Sequence, residues 1–385
     1  MPPEPAVQHG IVNSLALILI FLSVYSYAVY PMLLILLNLF FKKKVRAGDI
    51  EPTVSIIIAA YNEESKIREK LRNTVALDYP RDKIQFIVAS DASSDRTEEI
   101  VREFPQVQLL RAPQRGGKER AQRMAIEAAT GEILVFTDAG TILDADGIRK
   151  IVRNFADPAV GAVSSRDQVL SSHSGNAEDV YVRYEMLLRR LESDFDGVVG
   201  LSGSFFAARR EVCSDWSEDL TSDFNTVFLA KKKGLRAVSD DQSVGYYRDI
   251  QKGQSEYNRK VRTLIHGIHA FMKTLELLNV FRYGVFSWQL ASHKLMRWLV
   301  PLFLAALFAV SIAGTTTGSR FCSALFLLQI LFYGASLLGF VWEGARKWFA
   351  VKIPYYFVSV NVAILLAWIG YFKGERMRVW NPTVR

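Results

Sequence analysis

The chain is poor in cysteine: only Cys213 and Cys322 occur among 385 residues. One lies in the central part of the chain and the other in a long uncharged run, so we expect neither a disulfide framework nor a cysteine metal site. The sequence also shows no internal repeat, no low-complexity segment and no nucleic-acid motif, although its formal net charge is +8. Basic residues beside apolar runs account for much of this excess, so we expect no nucleic-acid polymer as a partner.

Charged residues are absent from four long apolar runs. The first, residues 11–41, is long enough to cross a hydrocarbon core of roughly 30 Å, and it is too long and lacks the preceding basic residue for a cleaved signal peptide. The basic cluster 42–46 follows it and places the next segment in the cytoplasm. The sequence therefore predicts a multi-pass protein of the cell inner (plasma) membrane. The other three runs are 298–319, 321–342 and 353–372.

The side of the membrane on which the chain ends is left open. One span before the central region and three after it place the C-terminus outside. The tail 373–385 is basic, which argues for the opposite side. One of the C-terminal segments would then be re-entrant or interfacial.

The central region alternates between short apolar runs and helical patterns. The runs 54–60, 84–90 and 133–138 are rich in Val, Ile and Phe, which is typical of buried strands in a parallel sheet. A helical pattern follows each of the first two runs, and Gly-Gly-Lys at 116–118 opens another. We therefore expect βαβ units and an α/β domain of the nucleotide-binding type.

Acidic side chains follow the strands of this half. Glu63 comes after the first strand, Asp91 after the second, and Asp138 stands at the end of the strand 133–138, before Ala139 and Gly140. Ligands of open α/β sheets bind beyond the carboxyl ends of the strands, and three acids at one edge are costly unless a cation or a hydrogen-bonding ligand compensates them. Each acid alone could instead cap a loop. Together they favour a ligand, and Asp138 suits a metal or a phosphate-bound ligand.

Each of three features further along the chain allows two interpretations. Gly203 suits either a close backbone approach to a ligand or a simple bulge. Asp223 stands at the start of a predicted helix, where capping is the default role by position. Residues 254–269 form a basic amphipathic helix, which either lies on the membrane surface or uses Arg259 and Arg262 to hold a diphosphate. Both roles are compatible if the site lies at the membrane.

The order of short motifs in the central region resembles the processive-type family 2 glycosyltransferases. These membrane enzymes are related to the synthases of cellulose, hyaluronan, chitin oligomers and poly-N-acetylglucosamine. The resemblance covers about 54–262 and implies a GT-A nucleotide-sugar-binding domain of α/β class, with a mixed, mainly parallel sheet, plus transmembrane and interfacial helices. The motifs that carry it are 54–64, 90–95, 116–118, 136–140, 203–209 and 222–223.

The resemblance also implies a role for individual residues. Asp223 matches the general base that takes a proton from the acceptor hydroxyl, and a single base on that face gives inversion. Asp138 matches the first acid of the DxD motif, which places a divalent Mg²⁺ or Mn²⁺ on the donor diphosphate. Gly203 and Ser204 fall in the acceptor region. The other donor contacts would come from Tyr61, Glu63, Asp91 and Lys118 at the nucleotide and from Arg259 and Arg262 at the diphosphate.

Two positions depart from the family pattern. Gly140 stands where the metal motif has its second acid, so either phosphate and water complete the metal shell around Asp138 or another residue contributes. The Gln-x-x-Arg-Trp motif of processive synthases is absent, and its nearest substitute is 258–262. The Trp of that motif packs under the acceptor sugar in polymerising enzymes, so processivity does not follow from the resemblance.

The predicted function is the inverting, metal-dependent transfer of a sugar from a nucleotide sugar, with a UDP-sugar favoured, to a glycan or lipid-linked acceptor at the membrane. Polysaccharide or glycoconjugate synthesis is the expected setting, with other synthesis or export proteins as candidate partners. The alternative is a non-catalytic subunit of such a complex that keeps the fold. The predicted parts are a transmembrane helix (1–45), a cytoplasmic GT-A domain (50–250), amphipathic or interfacial helices (251–297), three transmembrane helices (298–372) and a basic tail (373–385).

Overall fold

The computed structural model describes residues 5–170, 177–248 and 254–375. Within these ranges, eight strands form a single sheet in the order β3-β2-β1-β4-β7-β6-β8-β5. The sheet is mixed, with four parallel and three antiparallel pairs, as expected from the resemblance. The strands are β1 (Val54–Ala60), β2 (Ile84–Ser90), β3 (Val107–Arg111), β4 (Ile133–Asp138), β5 (Thr141–Leu143), β6 (Val160–Leu170), β7 (Phe205–Arg209) and β8 (Arg236–Arg248).

The parallel half of the sheet brings the predicted strand ends to one edge. β1 is buried along its whole length, which its β-branched residues favour. It pairs in parallel with β2 and β4, so that Ala60 lies opposite Ser90 and Ala59 lies opposite Asp138. The segments that follow β1, β2 and β4 therefore start side by side, as the sequence predicts.

The other half of the sheet contains two strands that the sequence analysis did not identify, β5 and β8. β8 has Asp-Asp-Gln-Ser at its centre and no long apolar run, so the usual signal for a buried strand is missing. It pairs with β6 in parallel and with β5 in antiparallel orientation. The second pairing places Tyr247 opposite Thr141, three residues after Asp138.

Two hydrophobic cores cover the two faces of the sheet. Ile57 belongs to one core, whereas Ile56 and Ile58 belong to the other, as the alternation of side chains along a strand requires. The core on the Ile57 face also contains Trp298 and Ile364, which come from the C-terminal apolar helices. The sheet domain and these helices therefore share one core.

Helices flank the sheet and form the apolar part of the protein. A π-helical turn, Tyr25–Val29, joins the first two helices, and another, Ala291–Leu295, joins α11 to α12. The α-helices are α1 (Pro5–Val24), α2 (Tyr30–Phe41), α3 (Ile67–Val75), α4 (Thr97–Arg102), α5 (Lys118–Ala128), α6 (Gly147–Val152), α7 (Ala177–Phe195), α8 (Ser222–Lys232), α9 (Gln254–Lys273), α10 (Val280–Tyr283), α11 (Val285–Leu290), α12 (Met296–Thr316), α13 (Arg320–Val341) and α14 (Phe349–Phe372).

In the described part of the chain, four helical segments are long and apolar enough to cross a membrane: Gln8–Phe41, Val285–Thr316, Arg320–Val341 and Phe349–Phe372. They correspond to the four uncharged runs of the sequence. The second segment begins at Val285, so part of the stretch predicted to be interfacial is continuous with it. Many large apolar side chains of the four segments are exposed, which suits contact with lipid.

A buried polar cluster connects the apolar helices to α7. Glu192 on α7 accepts a hydrogen bond of 2.7 Å from the hydroxyl of Tyr30, and its same oxygen lies 2.7 Å from Nδ1 of His293. Glu185, two turns earlier, pairs with Arg297 at 2.5 Å. Buried charges are tolerated when they are paired and hydrogen-bonded, and these pairs fix α7 against the membrane-type helices.

Candidate active site

A cavity of about 380 Å³ lies at the carboxyl edge of the parallel half of the sheet. This volume is within the usual range for a small-molecule site. The cavity brings together most of the residues that the sequence analysis selected. The predicted residues that line it are Glu63, Lys118, Asp138, Gly203, Ser204, Asp223 and Arg262.

Three predicted residues are not part of this lining. Tyr61 and Asp91 stand beside the cavity, at the ends of β1 and β2. The side chain of Arg259 lies outside the described residues. The lining also contains side chains that the sequence analysis did not propose as site residues, among them Lys66, Glu119, Asp167, Tyr247, Thr263 and His266.

Asp138 forms an ion pair with Lys118 inside the cavity. Nζ of Lys118 donates to Oδ1 of Asp138 at 2.7 Å and to the carbonyl of Gly203 at 3.2 Å. Burial alone lowers the pKa of Lys118, but the charge and hydrogen bond of Asp138 outweigh it and hold the pKa above its ordinary value. The side-chain partner of Asp138 is thus a cation and not a loop amide, which argues against its interpretation as a loop cap.

Asp91 holds the glycine loop that presents Lys118. Its side chain is buried, and its two oxygens accept the backbone N–H groups of Gly116 at 2.7 Å and Gly117 at 2.8 Å. Gly117 has a φ of +100°, a conformation that glycine adopts without strain. Asp91 therefore does cap a loop, and its predicted contact with a nucleotide stays a prediction.

An aromatic ring and a guanidinium lie next to the cavity. The guanidinium carbon of Arg115 is 4.0 Å from the centre of the Tyr61 ring, in cation–π geometry. Glu63, two residues further, is buried, and its backbone N–H donates to Oγ1 of Thr97 at 2.8 Å. Arg115 is not predicted from the sequence, because nothing local to residue 115 indicates that the glycine loop folds over Tyr61.

Asp223 lies in the first turn of α8 and faces the cavity. The N-cap of this helix is Thr221, and within the described residues the carboxylate of Asp223 accepts no hydrogen bond. The capping interpretation is therefore not supported. Burial raises the pKa of the neighbouring Glu119, and the negative charge of Asp223 adds to the effect. A carboxylate that no donor occupies can accept a proton from a bound hydroxyl.

Asp167 is a cavity acid that the sequence analysis did not select. Its Oδ1 accepts hydrogen bonds from Ser202 at 2.5 Å and Ser204 at 2.6 Å, and its Oδ2 lies 3.8 Å from a guanidinium nitrogen of Arg189. These contacts fix the loop that contains Gly203. β6 runs from Val160 to Leu170, so Asp167 lies within a strand and not after its end, where the other acids were sought.

Lys70 is fully buried behind the end of β4. Its Nζ donates to Oγ1 of Thr137 at 2.9 Å and to the carbonyl of Thr141 at 2.6 Å. Burial lowers the pKa of Lys70 to about 7, against the opposing effect of the Asp138 charge. Its burial is not predicted from the sequence, because a lysine in an amphipathic helix is usually exposed.

The low pKa of Lys70 predicts a pH dependence of stability. In the unfolded chain a lysine has a pKa of about 10.4, so between about pH 7 and 10 the unfolded state binds a proton that the folded state has released. Stability therefore rises with pH across this window. We expect the melting temperature of the wild type, relative to that of Lys70→Met, to rise between pH 7 and 10. Parallel pH profiles of the two proteins would contradict this.

The residues at the edge of the sheet fit a metal that arrives with a phosphate ligand. In the described part of the chain, no group of three or more His, Cys, Asp and Glu side chains is arranged to hold a metal ion. The side chain of Asp138 is 36% exposed, and its Oδ2 has no hydrogen-bond partner among the described residues. A hard cation takes few protein ligands when phosphate oxygens complete its shell. Asp138 would be its side-chain ligand.

A mixed sheet with acids and a lysine gathered at its carboxyl edge, packed on apolar helices, is the arrangement expected of a GT-A fold with a nucleotide-sugar site. Residues 55–216 match the model of the family described as Glycosyl transferase family 2. This part of the chain is therefore similar to the family 2 glycosyltransferases.

Two curated relatives match the central region. The chain is 28% identical over 190 residues to the beta-monoglucosyldiacylglycerol synthase of Trichormus variabilis, which is 46% of this chain and 41% of that protein. It is 26% identical over 206 residues to the poly-beta-1,6-N-acetyl-D-glucosamine synthase of Staphylococcus aureus, which is 51% of this chain and 49% of that protein. The chain thus spans less than half the length of these relatives.

One solved structure resembles the chain over nearly its whole length. It is the mannosyltransferase PcManGT from Pyrobaculum calidifontis, in complex with GDP-Man and Mn²⁺. The TM-score is 0.73 and the sequence identity is 23%, with 94% of this chain and 99% of that chain covered. This likeness establishes the shared fold.

Proposed function

We propose that the protein is an inverting glycosyltransferase that moves a sugar from a nucleotide-diphosphate sugar, with a UDP-sugar favoured, to a hydroxyl of a glycan or lipid-linked acceptor at the membrane. One observation carries the proposal: a single cavity contains the Lys118–Asp138 ion pair and the carboxylate of Asp223, to which none of the described residues donates a hydrogen bond. The ion pair can bind a leaving diphosphate, and the carboxylate can accept the proton of an attacking hydroxyl.

On the donor side, cations would hold the diphosphate. Lys118 is already positioned by the loop that Asp91 caps, and it would exchange Asp138 for a phosphate oxygen. Arg262 lines the same cavity and would add a second positive charge. When bound at Asp138, Mg²⁺ or Mn²⁺ would neutralise the charge that develops on the leaving group.

The nucleoside would bind beside the diphosphate, near the end of β1. The Tyr61 ring and the Arg115 guanidinium provide flat surfaces on which a base can stack. Glu63 is buried at the border of the cavity, where its carboxylate can accept hydrogen bonds from the base or ribose. Asp91 would contribute through the glycine loop and by its predicted contact with the nucleotide.

On the acceptor side, Asp223 would take the proton as the hydroxyl attacks the anomeric carbon from the face opposite the diphosphate. That geometry inverts the configuration. Gly203 and Ser204 form the adjoining wall, and Asp167 fixes Ser204 by a hydrogen bond of 2.6 Å. Serine hydroxyls and carboxylates are suitable partners for the hydroxyl groups of an acceptor sugar.

The similar proteins support this proposal in general terms. One relative is named for a glycolipid and another for a polysaccharide, in agreement with a lipid-linked or glycan acceptor. The structure of similar fold binds GDP-Man and Mn²⁺, which supports a metal and makes GDP-sugars the main alternative donors. The four apolar segments and the basic cluster 42–46 support a multi-pass protein of the inner (plasma) membrane with residues 50–250 in the cytoplasm.

A donor screen tests the proposal. The full-length protein in nanodiscs is incubated with Mn²⁺ or Mg²⁺, a panel of UDP- and GDP-sugars, and diacylglycerol or oligosaccharide acceptors. We expect nucleotide release from one donor class, a product heavier by one or more sugars in mass analysis, and loss of turnover with EDTA. Nucleotide binding without turnover across the whole panel would instead support the non-catalytic alternative.

A further inference from the structure

The turn between β4 and β5 carries Asp138 but lacks a second acid. It consists of Asp138, Ala139 and Gly140, and β5 beyond it is only three residues long. A lone carboxylate has no neighbouring side-chain ligand to share a cation and must itself be held in position. Lys118 holds the Asp138 carboxylate from the cavity side at 2.7 Å, and the turn itself is held by other contacts.

Helix α3 provides these contacts from behind. Nζ of Lys70 donates to Oγ1 of Thr137, just before the turn, and to the carbonyl of Thr141, just after it. One turn further along α3, Nδ2 of Asn73 donates to the carbonyl of Leu143 at 2.9 Å, and its Oδ1 accepts the N–H of Leu143 at 3.0 Å. Lys70 thus bridges the two ends of the turn, while Asn73 anchors β5.

We propose that Lys70 is a positioning residue, which holds the turn 138–140 so that the Asp138 carboxylate is pre-oriented toward the cavity. The inference rests on the proposed function, since a pre-oriented carboxylate is useful when a cation and a diphosphate bind there. Outer contacts that orient a ligand side chain typically change metal affinity by about 10–100-fold.

If Lys70 only supported the packing of α3, its substitution would leave the turn 138–140 and the Mn²⁺ requirement unchanged. Burying an ammonium group is unfavourable, and replacing a buried charge by an apolar side chain of similar volume is often neutral for stability or better. Lys70→Met should therefore fold. If Lys70 acts on Asp138, the turn becomes less ordered in the variant and more Mn²⁺ is needed for binding, although the fold survives.

The test compares Lys70→Met with a matched control in the same helix. Thr74 is also fully buried, and its Oγ1 donates to the carbonyl of Lys70 at 2.8 Å without reaching the turn. Thr74→Val removes a buried hydrogen bond from α3 and leaves the two contacts of Lys70 Nζ in place. Thr137→Val removes one acceptor of Lys70 and serves as the partner variant in a double-mutant cycle.

Two measurements on the full-length protein in nanodiscs decide the question. Hydrogen exchange follows the amides of residues 138–143 without ligand, and calorimetry gives the Mn²⁺ concentration for half-maximal binding of UDP or GDP. In Lys70→Met we expect faster exchange in this segment and a rise of about tenfold in the Mn²⁺ concentration, with nucleotide binding in EDTA unchanged. Thr74→Val should match the wild type in both, and Lys70→Met/Thr137→Val should be no worse than Lys70→Met.

Wild-type exchange and an unchanged Mn²⁺ requirement in Lys70→Met would overturn the inference. Effects of the same size in Thr74→Val would also overturn the inference, because they would show that Lys70 only supports α3 in general. If the wild type itself binds nucleotide without any response to Mn²⁺, the proposed metal role fails. The exchange comparison then still decides whether Lys70 holds the turn.

Discussion

Asp223→Asn is expected to lower kcat by about 10³-fold, because loss of a general base typically costs a factor of about 10²–10⁴. Asparagine has the same shape but cannot take a proton from the acceptor hydroxyl. The carboxylate accepts no hydrogen bond within the described residues, so few contacts are lost in the variant. We therefore expect the melting temperature and the affinity for the donor nucleotide to stay near the wild-type values.

The matched control is Asp219→Asn. Asp219 lies four residues earlier, in the loop before α8, pairs with Lys273 at 2.8 Å, and does not line the cavity. Its substitution should leave kcat within about twofold, since exposed ion pairs contribute little. Full transferase activity in Asp223→Asn would refute the assignment of the base. A strong effect of Glu119→Gln would then point to the neighbouring carboxylate.

The sequence predicted the part of the site that local signals encode. A continuous apolar run that ends in an acid marks a buried strand and its carboxyl end within a few residues, as in β2 with Asp91 and β4 with Asp138. Parallel pairing then makes these ends neighbours without further information. For the same reason the apolar runs located all four candidate membrane segments.

The remaining part of the site depends on contacts between residues far apart in the chain. Lys70 lies in a helix whose pattern predicts an exposed lysine, and its acceptors are 67 and 71 residues away. Arg115 reaches Tyr61 only because the glycine loop folds back over β1. β8 has no apolar run of its own and forms by pairing with β6 and β5. Such features follow from the assembled sheet and not from a window of sequence.

The structure also shows contacts that bear on the roles predicted for two acids. Asp91 is predicted to contact the nucleotide, and in the structure both its oxygens hold the loop of Gly116 and Gly117; the nucleotide contact stays a prediction. Asp223 had capping as its default role, yet the N-cap position of the helix belongs to Thr221, which forms no side-chain capping hydrogen bond. Carboxylates that cap loops and carboxylates that stay unoccupied look alike in sequence, and only the location of backbone donors distinguishes them.

Asp138→Asn is expected to remove most activity and to change how the nucleotide binds. The loss of kcat should be about 10²–10³-fold, the effect of deleting one group that stabilises developing charge. In calorimetry, the part of UDP or GDP binding that depends on Mn²⁺ should disappear. Binding in EDTA should persist or become tighter, because Lys118 no longer has Asp138 as a partner at 2.7 Å and can contact the phosphates instead.

Asp144→Asn is the matched control for this variant. Asp144 lies six residues further on, its side chain is 33% exposed against 36% for Asp138, and it pairs with Lys150 at 3.6 Å outside the cavity. It should behave like the wild type with and without Mn²⁺. If Asp138→Asn keeps the wild-type response to Mn²⁺, another group must hold the cation. If its activity is retained as well, Lys118 and Arg262 alone neutralise the leaving diphosphate, and Gly140 then marks a site that does not need a metal.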